Sequence, residues 1–194
     1  MNMGKVSANM SISLDGFIAG PNVSAQHPVG EGGGRLHEWM FPPRGNYQEV
    51  VDEMFRNVGA VVMGRQMFNT GAEPWGDDPP FHMPVFVLTH EPRPKVVKEG
   101  GTIFTFVSDG IASALQQARA HAGDKDVMVA GGANAVQQYL RAGVLDEIHL
   151  HFIPVLLGNG TRLFNDLGAG PIKLERTRVI ESPGVIHLSF RVVK

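Results

Sequence analysis

Three short stretches of this chain carry residue types suited to holding a phosphate, and each closes an apolar run. Val127-Met128-Val129-Ala130 leads into Gly131-Gly132, after which Val136, Tyr139, Leu140 and Val144 recur at helical spacing. Strand, glycine turn and helix in that order bring bare backbone N–H groups to a helix N-terminus, which carries roughly half a positive charge and favours an anion. Ala60-Val61-Val62-Met63 leads into Gly64-Arg65, and an arginine there presents a planar fork of donors to a phosphate. Pro84-Val85-Phe86-Val87-Leu88 leads into Thr89-His90, a hydroxyl and an imidazole suited to a ribose or its phosphate. Ligands of open α/β sheets bind outside the carboxyl ends of the strands. Gly64, Arg65, Thr89, His90, Gly131, Gly132, Ala133 and Asn134 are therefore candidates to hold one ligand. Each also has a plain reading as a turn or an exposed loop residue. Asp15, ahead of Gly16, is a candidate acid or substrate anchor. Glu38 followed by Trp39 could orient a flat heterocycle by hydrogen bonding and stacking.

The elements that would position these residues read as follows. Lys5 to Ser13 alternates in part and reads as a strand; residues 23–45, rich in Gly, Pro and His, read as a loop long enough to suggest function. Residues 47–57 read as a helix with Val50, Val51, Met54 and Phe55 on one side. A short helix is expected after Gly64-Arg65, and a strand over Thr102 to Val107. A helix capped by Ser108 or Asp109 then runs to about Ala122, with Ile111, Ala114, Leu115 and Ala118 inward. Glu147 to Leu157 reads as a long strand interrupted at Pro154, and residues 172–179 and 185–193 read as a hairpin around Ser182-Pro183-Gly184. Strands alternate with helices to about residue 145, and the chain then finishes in β structure. The pattern implies a three-layer α/β fold with a mostly parallel sheet and an antiparallel C-terminal edge.

Composition narrows the classes. The chain has 194 residues, 43% of them apolar, and a net charge of −2, which favours one domain with a sizeable core and no nucleic-acid partner. No apolar run approaches the length of a membrane span, and the first residues lack the apolar stretch of a signal peptide, so a cytoplasmic location is expected. The absence of cysteine excludes disulfides, thiolate metal sites and a cysteine nucleophile. His149 and His151 sit two apart on one strand, with His187 on another. Without a clear carboxylate partner they point to sheet packing or a subunit surface, and no metal is expected. Neither G-x-G-x-x-G nor G-x-x-x-x-G-K-[ST] occurs, which argues against a Rossmann dehydrogenase or a P-loop NTPase.

SISLDGFIAG (11–20), VVMGRQMF (61–68), VFVLTH (85–90), VMVAGGANAVQQYL (127–140) and DEIHLHFIPVLLGNGTRLF (146–164) together resemble the dihydrofolate-reductase-like family. Within it they are most similar to the reductase domain of the bifunctional riboflavin-biosynthesis deaminase–reductases. The resemblance implies NADPH as hydride donor, commonly a homodimer, and a small-molecule substrate: a 5-amino-6-(5-phosphoribosylamino)uracil-like or a pterin- or folate-like heterocycle. It places Gly64-Arg65 beside the cofactor phosphates, Thr89-His90 near the adenosine ribose phosphate and Gly131 to Asn134 under the pyrophosphate. Asp15-Gly16 falls at the substrate and nicotinamide, and Gly158 and Gly160 in the turn before the C-terminal strands. The chain departs from the family in three ways. Met67 stands where a Thr or Ser often reaches phosphate, the deaminase motif is missing, and no extra Lys/Arg cluster offers a grip for a substrate ribose phosphate. Two other readings therefore stand beside an NADPH-dependent reductase: a binding protein of this fold without turnover, and an enzyme using a deazaflavin donor.

Overall fold

A computed structural model describes residues 4–40, 47–165, 167–168 and 170–194. Residues 41–45 of the expected long loop lie outside them. The chain-order strands are β1 (Val6–Ser13), β2 (Phe17–Ala19), β3 (Val58–Gly64), β4 (Pro84–Leu88), β5 (Val96–Val97), β6 (Ile103–Val107), β7 (Asp126–Gly131), β8 (Glu147–Ile153), β9 (Thr161–Arg162), β10 (Leu174–Ser182) and β11 (Val185–Val192). The helices are α1 (Tyr47–Arg56), α2 (Arg65–Gly71), α3 (Ile111–Ala122) and α4 (Ala133–Arg141).

Nine strands form one sheet in the order β10-β11-β8-β1-β7-β3-β4-β6-β5. From β8 to β6 every neighbouring pair is parallel. The β11–β8 and β10–β11 pairs make the expected antiparallel C-terminal edge. An antiparallel β5 closes the opposite edge, and β2 pairs with β9 in a small separate sheet. Strands of two or three residues leave no periodic trace in a sequence, which is why β5 and β9 escaped the reading above.

Side-chain alternation explains the layers. In β3, Ala60 and Val62 face one core while Val61 and Met63 face another; in β7, Val127 and Val129 take the first face and Met128 the second. Buried on both faces, these strands read as continuous apolar runs, as parallel strands do. α3 and α4 cover the first face with Ala114, Leu115, Ala118, Val136, Tyr139 and Leu140. Phe68 of α2 and the loop residues Trp75 and Phe81 cover the second. Full burial of each large apolar side chain stabilises by about 1.5–3 kcal/mol.

Three local expectations are corrected. α3 begins after Gly110, whose φ of 91° suits glycine, and no Ser108 or Asp109 side chain caps it. β8 ends at Ile153 instead of continuing through Pro154, because proline has no N–H to give the ladder. Val144 lies beyond α4, after the turn at Gly143.

Candidate active site

The carboxyl ends of β3, β4 and β7 open into one cleft of about 980 Å³, lined by Gly64, Arg65, Thr89, His90, Gly132, Ala133 and Asn134. Small-molecule pockets run from about 300 to 1,000 Å³, so this one is large enough for an extended ligand. At its glycine turn, Gly131 has φ 120°, the Gly131–Gly132 peptide is cis, and Gly64 comes within 3.6 Å of the Gly132 nitrogen once a Cβ is placed on it. A Cβ on Gly132 would meet no atom within 4 Å, so the turn faces open space. Ala135 and Val136 are the first N–H groups of α4 to bond back, both to the Gly132 carbonyl at 3.1 and 3.4 Å. The N–H groups of Ala133 and Asn134 precede them and have no intrahelical acceptor. This is a donor set suited to a phosphate.

The other two strand ends are already partly engaged. Arg65 Nη1 meets Glu91 Oε1 at 3.1 Å, with both side chains well exposed. The Thr89 hydroxyl accepts the Glu91 N–H at 3.1 Å and donates to the Glu91 carbonyl at 3.3 Å. Thr89 thus folds the turn that carries Glu91 to Arg65. His90 is exposed on the cleft rim. Met67 lines the cleft, and its sulfur lies against Gly131.

Asp15, Gly16, Glu38, Trp39 and Gly131 do not line the cleft. Asp15 Oδ1 accepts the Ser13 hydroxyl at 2.6 Å and the Leu157 N–H at 3.1 Å, while Oδ2 accepts the Gly158 N–H at 2.7 Å. Arg162 Nη1 bonds the Asp15 carbonyl at 3.0 Å and stacks its guanidinium 4.4 Å from the Phe17 ring. Asp15-Gly16 is therefore a clasp between the β1–β2 turn and the 155–163 segment. It supports Ile18, Ala19 and Thr161, which do line the cleft. The Ser13 hydroxyl and the two backbone N–H groups hold the Asp15 pKa at about 2, which makes it a poor proton donor at neutral pH. Glu38 is exposed. Trp39 is buried, donates Nε1–H to Ser11 Oγ at 3.1 Å, and packs on the rings of His151 and His187 at 4.6 and 4.9 Å. It backs the floor of the cleft rather than forming its surface.

The Asp15 clasp gives a pH prediction. Its folded pKa of about 2 lies below the ordinary 3.8, so its stabilisation is present above about pH 4 and is lost as pH falls through about 2. Asp15→Asn is expected to lower the urea midpoint at neutral pH, and the difference from the parent protein is expected to shrink as the pH falls towards about 2 and to close below it. Equal midpoints at neutral pH would refute the clasp.

Three polar residues on the cleft floor, Asn9, Ser11 and His37, escaped the sequence reading, and a fourth, His151, was read as sheet packing or a subunit surface but lines the cleft. No Asp or Glu lines the cleft among the described residues. The signal was present in β1 and β8. Central strands with apolar cores on both faces should read as unbroken apolar runs, yet Ser7, Asn9, Ser11 and Ser13 alternate with Val6, Ala8, Met10 and Ile12. Glu147, His149 and His151 likewise alternate with Ile148 and Leu150. Burial lowers the pKa of His37, and pushes that of His151 down to about 3, with His187, His149 and His37 adding to the effect. Both rings are neutral at physiological pH. No group of His, Asp and Glu among the described residues could hold a metal ion, and no described helix is long and apolar enough to cross a membrane.

Comparison with known proteins places this architecture. The protein is 24% identical over 193 residues to the uncharacterized protein YyaP of Bacillus subtilis (strain 168), covering 96% of this chain and 94% of that one. A crystal structure of a candidate riboflavin biosynthesis protein from Shewanella sp. PV-4 superposes with a TM-score of 0.76 at 21% identity, over 98% of this chain and 99% of the other. Dihydrofolate reductase from Enterococcus faecalis, complexed with NADP(H), superposes with a TM-score of 0.63 at 12% identity, over 100% and 99% of the two chains. At these identities the structures establish a shared fold. The model of the RibD C-terminal domain matches residues 4–188, and the chain belongs to that family.

Proposed function

We propose that this protein is a cytoplasmic, NADPH-dependent reductase of a small nitrogen heterocycle, pyrimidine- or pterin-like, in the chemistry of riboflavin biosynthesis. The observation that carries this reading is the convergence of Arg65, Thr89-His90 and the free N–H groups of Ala133 and Asn134 on one cleft with a polar, carboxylate-free floor. The donors fit a dinucleotide: Ala133 and Asn134 would take its pyrophosphate, and Arg65 and His90 a ribose phosphate. The cofactor, when bound, supplies a hydride. The chain's own task is to hold the heterocycle in near-attack geometry and supply a proton. Asn9, Ser11 and His151 are placed to bind the edge of a flat ring, and Met10, Met54 and Phe55 to cover its faces. A neutral floor suits an uncharged heterocycle, since a cation there would lack a counter-charge. A homodimer completes the reading, supported by the exposure of Leu174, Val179 and Ile186 on the β10–β11 edge.

Trp75 lines the cleft while Trp39 lies behind it, so NADPH titration is expected to quench emission in the parent protein and in Trp39→Phe, but only weakly in Trp75→Phe. Oxidation of NADPH is then followed against a panel of pterins and aminouracils. No quenching at millimolar cofactor would overturn the reading.

A further inference from the structure

Behind the cleft floor lies a second cavity of about 320 Å³, between α1 and the polar face of the sheet. Asn9 and His151 line both spaces, and His187 lines the inner one. A chain of short hydrogen bonds joins them: Asn9 Oδ1 to His151 Nε2 at 2.6 Å, and His151 Nδ1 to His187 Nδ1 at 2.6 Å. The protons follow from the partners. An amide oxygen only accepts, so His151 Nε2 carries hydrogen; in a neutral ring its Nδ1 is then a lone pair, and His187 Nδ1 must donate. His187 Nε2 is left as an acceptor, buried and without a partner among the described residues. Turning over the Asn9 amide reverses every donor but still leaves one proton between the rings.

The inner cavity offers that acceptor a polar setting. Ser7, His149 and Ser189 line it with five charged side chains, Glu53, Arg56, Asp126, Glu147 and Arg178. Glu53 pairs with Arg178 at 2.6 Å, Glu147 with Lys5 at 2.5 Å, and Asp126 accepts the Lys5 backbone N–H and the Asn57 amide. Trp39 packs on both rings, at 4.6 and 4.9 Å between centroids, and His151 and His187 are 4% and 5% exposed. Two neutral imidazoles so shielded are poor as stored acids and good as a wire, because neither has to hold a net charge while a proton passes.

We infer that His151 and His187 form a proton relay from the inner cavity to the cleft, an inference that rests on the reductase reading. When the heterocycle's C=N or C=O carbon gains a hydride, its π electrons move to the nitrogen or oxygen. That atom takes the His151 Nε2 proton in place of the Asn9 contact. His151 Nδ1 takes the His187 Nδ1 proton, and His187 Nε2 takes one from a water in the cavity, whose hydroxide is neutralised by a proton from bulk solvent. One hydride and one proton are gained by the substrate, and both rings end neutral. Asn9 is a positioning residue that sets which His151 nitrogen carries the proton.

Two measurements test the relay. In the parent protein, ¹⁵N–¹H NMR is expected to show a single downfield proton coupled to Nδ1 of both rings, with both rings neutral at about pH 6. Two independent rings, or a doubly protonated one, would overturn the relay whatever the substrate. His187→Leu is expected to slow NADPH oxidation with the reactive panel compound about tenfold and to enlarge its solvent deuterium isotope effect, with NADPH affinity held within about twofold. A folded His187→Leu protein with the parent's rate and isotope effect refutes the relay alone. A parent protein that does not bind NADPH, or binds it and reduces no panel compound, removes the reductase reading and the relay with it.

Discussion

Arg65→Ala is expected to weaken NADPH binding by about tenfold to a hundredfold. A hydrogen bond to a charged group contributes about 1.5–3 kcal/mol, and 1.4 kcal/mol is a factor of ten in affinity. Arg65 opens α2 on the rim of the cleft and is the sole Arg or Lys among the described lining residues. Its present partner complicates the figure in a useful way. Glu91 competes for the same fork, but this ion pair is exposed, and such pairs stabilise by only about 0–1 kcal/mol. Glu91→Gln should therefore move affinity the other way, by up to about fivefold, and added salt should shrink both effects. Lys in place of Arg65 should recover part of the loss, keeping the charge without the planar fork. Fluorescence titrations of the variants against NADPH and NADH decide the matter. Unchanged affinity in Arg65→Ala would take Arg65 out of the cofactor site.

Tyr139→Ala is expected to cost about 3–5 kcal/mol of stability. Tyr139 is fully buried in the core under α3 and α4, and its hydroxyl donates to the Ile111 carbonyl at 3.0 Å. For a chain of this size each kcal/mol shifts Tm by about 2–4 °C, so the transition should fall by about 6–20 °C. Tyr139→Phe separates the two contributions: it keeps the ring and loses the hydroxyl bond, at about 1 kcal/mol. The residue matters to the site because it sits in α4, whose first turn presents Ala133 and Asn134 to the cleft, and it ties that helix to α3. Calorimetry checks the prediction, and a shift of less than about 3 °C for the alanine variant would refute it.

Much of this was legible because burial on both faces of a parallel strand leaves unbroken apolar runs. Val61 to Met63, Val85 to Val87 and Val127 to Val129 announced three adjacent strands, and the Gly, Arg and Thr residues after them fell into one cleft. Asp15 and Glu38 misled because an acidic side chain has the same appearance in sequence whether it clasps two turns or meets a ligand. For Asp15 the deciding partners, Leu157 and Gly158, lie far along the chain. Trp39 was read as a stacking surface for a flat ligand, and it does stack, but on the rings of His151 and His187 behind the cleft floor. With Trp39 inward, its neighbour Glu38 is left outward. The polar floor was written in the alternation of β1. Reading it required knowing that β1 is a central strand, which only the pairing with β7 and β8 reveals.

That central position of β1 also sets a timetable for synthesis. Val6 pairs with Val127, and Ser13 with Ile153, so the strand emerges from the ribosome long before either neighbour exists. At about 5–20 residues per second, roughly 7–28 s separate its synthesis from that of β8. During that interval β3, β4 and β6 can associate, while an alternating, half-polar strand waits in water without a strongly sticky surface. Asn9 and Ser11, which furnish the floor, thus join Ser7 and Ser13 in keeping an orphan strand soluble until the sheet closes around it.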